Sequence, residues 1–136
     1  MKAKKVADTE GRYIGIRINC PGCGNKHVLP TDATPFGEEP SPHYVGRARW
    51  HFNGDFDKPT LSPSVHVRSG HYAYDQTEKG DCYCTYYEEH PQEEQHYSCY
   101  VCHFFLREGV IEFLGDCTHA LAGKTVELAE LDLTCP

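Results

Sequence analysis

The sequence predicts a mainly β fold: a small single-domain sandwich or strongly bent sheet, with a structural zinc site and one or two short helical turns. Three observations carry that expectation. Arg12 to Ile18 alternate apolar with polar or small residues, the two-residue period of a half-buried strand. Tyr100 to Leu106, then Glu108 and Gly109, then Val110 to Leu114 spell two strands joined by a short turn. Two CxxC pairs, Cys20 with Cys23 and Cys99 with Cys102, supply thiols in knuckle spacing on either side of the middle of the chain.

Taken in order, the Arg12–Ile18 strand runs into the first knuckle, where Pro21, Gly22 and Gly24 permit the backbone turn around the sulfurs. Thr31 to Pro42 is rich in Pro, Gly and Glu and reads as a loop. Residues 47–53 look extended, and Asn53, Gly54 and Asp55 supply turn chemistry before the segment from Pro59 to Val67. Pro59 and Pro63 cannot donate to a ladder, so this segment is expected as an edge strand or an irregular extended stretch. Ser69 to Glu94, rich in Tyr, Gly and acids without a clear period, is expected as a long loop insertion in one domain spanning 1–136. After the hairpin, Thr118 to Ala122 suits one helical turn ended by Gly123, and Thr125 to Leu131 a last strand or a short helix.

A chain of 136 residues suits one core. No apolar run is long enough to cross a bilayer, and Lys2, Lys4 and Lys5 are not followed by an export-type apolar stretch, so a cytoplasmic protein with no membrane partner is expected. In that compartment eight cysteines point to metal ligation before disulfides. A thioredoxin-type redox pair would open a helix, but Pro30 and Pro35 follow the first pair closely. The expected cofactor is therefore structural zinc held by Cys20, Cys23, Cys99 and Cys102, a clamp closing about 75 residues of chain. Cys82 and Cys84 lack the two-residue spacer of a knuckle and read as peripheral. The formal charge of -7 argues against a nucleic-acid partner. Glu88, Glu89, Glu93 and Glu94 form a local acidic run that reads as a solvated loop.

Three further elements carry chemistry: the serines Ser62 and Ser64 between Pro59 and Val65, His103 beside Cys102, and Asp116 to His119. A hydroxyl attacks a carbonyl when a base takes its proton and a carboxylate fixes that base's tautomer, so these are the pieces of acyl transfer. Neighbours on a strand point to opposite faces. If Cys102 faces a metal, His103 faces elsewhere, and Asp116 can orient it across the hairpin end. Simpler uses stand beside these: Ser62 and Ser64 as turn hydroxyls, His103 as a core histidine, and Asp116 as a turn cap. His119 suits a metal ligand, a second base or a surface residue.

The order CPxC, then Trp50 with Asn53 to Asp55, then PTLSPSV from Pro59, then CHFFLREGVIEFLGDCTHALAG from Cys102, resembles a small bacterial and phage family. Its members are sometimes labelled ammonia monooxygenase, a name nothing in these residues supports. The resemblance spans roughly residues 15 to 131, with Ser69 to Glu94 outside it. Relatives sit in bacterial ubiquitination-like operons as serine peptidases acting on conjugates of a ubiquitin-like protein. The resemblance implies Ser64 as the nucleophile with Ser62 as its neighbour and rival, His103 as the base and Asp116 as the acid. It also implies a protein substrate, and it leaves the later zinc ligands open among Cys99, Cys102 and Cys117.

The leading expectation is thus a zinc-stabilised serine hydrolase with backbone amides near the nucleophile as oxyanion hole. One alternative is a zinc-dependent hydrolase using His103, Asp116 and His119. Another is a non-catalytic, phage-encoded zinc module that binds a host protein through its Tyr- and Glu-rich loop.

Overall fold

The computed structural model describes residues 1–34, 37–42, 48–74 and 79–131. Arg47, Pro35, Phe36 and residues 75–78 of the predicted excursion lie outside the described residues. Among the described residues, eight strands form two antiparallel sheets, so the mainly β expectation holds. The first sheet has the order β1 (Lys4–Ala7), β2 (Tyr13–Asn19), β3 (Lys26–Pro30). The second runs β4 (His51–Phe52), β5 (Leu61–Ser69), β6 (Tyr100–Arg107), β7 (Val110–Phe113), β8 (Thr125–Glu127). A 3-10 helix (Gly70–Tyr74) and the short helix α1 (Tyr83–Glu89) lie between β5 and β6.

Both sheets contribute to one core. Strand alternation sends Ile16, Ile18 and then Cys20 inward from β2, and His27 and Leu29 inward from β3. They meet Val65 of β5, Cys102, Phe104 and Leu106 of β6, and Ile111 and Phe113 of β7. His27 stacks on Phe104 with ring centroids 5.8 Å apart. On β6 the same alternation turns His103 and Phe105 to the other face.

The β6–β7 hairpin closes through Glu108 and Gly109 at φ 49° and 78°, the paired positive values of a type I′ turn that matches strand twist. Three expectations need correction. The Pro59–Val67 segment, expected as an edge strand or an irregular extended stretch, is not at the sheet edge where Leu61 and Ser62 pair with β4, but its pairing with β6 is irregular between Leu61 and Val65. Its prolines are tolerated because Pro59 precedes the strand and Pro63 lies in a bulge. There β5 advances four residues, Leu61 to Val65, while β6 recedes two, Leu106 to Phe104. The excursion after Ser69 is not purely loop, since it contains the 3-10 helix and α1. Thr118 to Ala122 is a non-helical turn, with Ala122 N–H donating to His119 O, and Thr125–Glu127 is a strand. Among the described residues, no helix is long and apolar enough to cross a membrane.

Candidate active site and metal-binding clusters

Ser64 and His66 flank buried Val65 two residues apart, and His66 pairs with His103, so Ser64, His66 and His103 share the outer face. Trp50 Nε1 donates to the Ser64 carbonyl at 3.2 Å and fixes the backbone there. Ser64 Oγ lies 3.2 Å from His103 Nε2, and His103 Nδ1 lies 3.0 and 3.3 Å from the two oxygens of Asp116. An ionised carboxylate only accepts, so Nδ1 carries the proton and Nε2 is left to accept from the Ser64 hydroxyl.

Asp116 reaches His103 because the chain after β7 is clipped back onto β6. Leu114 N–H and the Cys117 thiol both donate to His103 O, His103 N–H donates to Cys117 Sγ, and Thr118 N–H donates to Val101 O. Cys117 is therefore a backbone clasp for His103 and not one of the sulfurs of a metal cluster. Partial burial opposes the charge on Asp116. The hydrogen bond and charge of His103, with the charge of His66, outweigh it and hold the carboxyl below its usual range.

Ser62 is exposed, in register with His51. The structure does not bring His119 to His103 and Asp116. It packs edge-on to Phe113, takes Leu121 N–H at Nδ1, and covers Gly22, where a Cβ would lie 2.3 Å from its Cε1. The third group at the outer site is instead His66, whose ring stacks on His103 at 4.3 Å and 14°, with Nε2 3.9 Å from Asp116. His66, His103 and Asp116 place ligand atoms within 4.8 Å of one another. Sequence reasoning missed His66, although its two-residue spacing from Ser64 was a visible sign that both could share a face.

Behind β6, on the core side, Cys20, Cys23, His27 and Cys102 converge with all ligand atoms within 4.8 Å, a set that can hold zinc or another metal ion. Cys20 and Cys102 sulfurs are 3.7 Å apart, and Cys23 Sγ is 3.3 Å from His27 Nε2. Hydrogen bonds from Cys102 and Cys20 pull the Cys23 thiol down, while sharing with Cys20 and Cys23 pushes Cys102 up. Burial opposes charge on His27, yet hydrogen bonds and charge from Cys20 and Cys23 raise it to about 9. Cys99, expected here, is not in the cluster. It precedes β6, and the fourth position belongs to His27, which β3 turns inward. The spacing Cys20, Cys23, His27 was the available signal. Cys99 lies with His71, Cys82 and Cys84 in a second group, so Cys82 and Cys84, read as peripheral from their spacing, belong to a set that could hold a metal ion.

A mainly β chain with a serine, a histidine and an aspartate hydrogen-bonded in series on one face of a sheet is serine-protease-like in class. The family model that matches residues 2–114 is described as bacterial ubiquitination-like system serine protease (BubE). The chain belongs to that family. The match takes in Ser64 and His103 and stops at Leu114, before Asp116. Neither the comparison with curated proteins nor that with solved structures gives a match.

Proposed function

We propose that this protein is a serine hydrolase that cleaves an acyl or peptide bond at the C-terminus of a ubiquitin-like protein in the cytoplasm. The observation that carries the reading is the continuous relay Ser64 Oγ, His103, Asp116 at 3.2 and 3.0 Å. Ser64 Oγ attacks the scissile carbonyl carbon as its proton passes to His103 Nε2, and Asp116 holds Nδ1–H and stabilises the imidazolium. Backbone amides near Ser64 receive the oxyanion. His103 then returns the proton to the leaving amine as the carbon–nitrogen bond breaks; water, deprotonated by the same imidazole, attacks the acyl carbon, and His103 hands that proton to Ser64 Oγ as the ester carbon–oxygen bond breaks. Family membership supports a protein substrate.

In this reading the core cluster is a structural zinc site that staples one domain, with 69–94 as its insertion. Zinc–sulfur and zinc–nitrogen bonds of about 2.3 and 2.0 Å imply tetrahedral sulfur–sulfur edges of about 3.8 Å, close to the Cys20–Cys102 separation of 3.7 Å. Four protein ligands close such a site, so its contribution is to fix β2, β3 and β6. No step of the reaction passes through it.

Cleavage of a ubiquitin-like protein fused at its C-terminus tests the reading. Ser64→Ala and His103→Ala are each expected to lower kcat by on the order of 10^4-fold, with folding retained. Unchanged turnover in both variants refutes the assignment. A second reading, a hydrolytic metal, is favoured by the convergence of His66, His103 and Asp116. It requires a chelator-labile ion whose removal stops turnover without unfolding, and a Ser64→Ala variant that stays active.

A further inference from the structure

We infer that the excursion between β5 and β6 contains a second metal site, formed by His71, Cys82, Cys84 and Cys99 and suited to zinc. The four residues come from four places: the 3-10 helix, the N-cap of α1, the first turn of α1, and the residue just before β6. Their ligand atoms nevertheless all lie within 4.8 Å of one another. All three cysteines are free thiols. Three thiolates with one imidazole form a soft donor set that selects zinc over magnesium or calcium, and it leaves no open coordination position for chemistry. On binding, the thiol protons go to solvent.

Two independent features point to an ion. His71 is 7% exposed, and its Nδ1 is buried with no hydrogen-bond partner among the described residues. An orphaned buried nitrogen carries a desolvation cost that a coordinated cation removes. Beside it, Gly70 has φ 63°, and a Cβ on it would stand 2.1 Å from Cys99 Sγ. Only a residue without a side chain lets that sulfur come so close, so the chain is shaped around the cluster.

Burial alone gives α1 little to hold it. The helix α1 has seven residues and none is buried, well short of what stands alone in water. A metal gripping Cys82 and Cys84 at its start, and His71 and Cys99 at the ends of β5 and β6, ties it to the second sheet. It also fixes one wall of a cavity of about 880 Å³ bordered by Gly70, Cys82, Tyr83, Tyr87 and Tyr97. The site shares no residue with Ser64, His103 and Asp116, so it stands or falls apart from the hydrolase reading.

Full-length protein loaded with an NMR-active cadmium isotope provides the test. One cadmium is expected to couple to the Hβ protons of Cys82, Cys84 and Cys99 and to the ring protons of His71. A spectrum in which no cadmium correlates with these residues overturns the site. In the zinc-loaded protein, the double change Cys82→Ser and Cys84→Ser is expected to lose one metal equivalent by native mass spectrometry. An unchanged metal count overturns the site equally. Because the correlation is read on the unaltered chain, it decides the matter whether or not the double variant folds.

Discussion

His103 is held from three directions: the Ser64 hydroxyl at Nε2, Asp116 at Nδ1, and the ring of His66 across its face. Each contact restricts a different freedom, namely tautomer, ring rotation and tilt. Asp116 matters most, because it decides which nitrogen is free to accept a proton. Asp116→Asn preserves the shape and offers the wrong tautomer, and is expected to lower kcat by about 10^3- to 10^4-fold with a small change in KM. The same residue has a signature in stability. Its folded carboxyl lies below the usual range, so the stabilisation is fully present above the unfolded value of about 3.9 and is lost as pH falls through the lower folded one. Urea unfolding is expected to show the wild type losing its advantage over Asp116→Asn as pH falls from about 5 to 3. A difference that does not change with pH excludes this ion pair. Half of the carboxylate side chain is exposed, so solvent screening keeps the effect small.

Among the elements, β6 joins the outer polar site to the inner cysteine cluster. Its alternation sends Cys102 inward to Cys20 and turns His103 outward to Ser64, so one strand carries a metal ligand and the candidate base. The segment from Leu114 to Thr118 is clipped to that strand, and Thr118 Oγ1 accepts from Val101 N–H. Thr118→Val removes that bond and is expected to cost about 1 kcal/mol in denaturant unfolding. It should also lower turnover roughly tenfold as Asp116 loosens. Full activity in a variant destabilised to this degree contradicts the clip. The strand Arg12 to Ile18, the hairpin and its positive-φ turn were legible because period and turn chemistry are local. That Asp116 could reach His103 across the hairpin end was legible from alternation, whereas the choice of Ser64 over Ser62 came from the family resemblance. The β5 bulge was not legible, since a proline in a paired strand is tolerated only through contacts remote in sequence. His27 was missed because β3 is too short to show a period, and α1 because its seven residues bury no apolar face.

At the scale of the whole molecule, two sheets meet in one core with Cys20, Cys23, His27 and Cys102 lodged between them. A metal there would cross-link β2 and β3 to β6, so its loss should disturb His103 through the strand without any direct contact. Removing it with a strong chelator is expected to lower Tm by roughly 10 °C or more, with activity falling alongside. Activity lost at unchanged Tm argues for a catalytic ion at His66, His103 and Asp116 instead. Mass spectrometry after exposure to a fluorophosphonate reads out whether Ser64 is a nucleophile activated by His103. One covalent adduct is expected on Ser64 in the wild type, absent in Ser64→Ala and suppressed in folded His103→Ala. No adduct, an adduct on Ser62, or labelling of Ser64 that persists without His103 would contradict that activation.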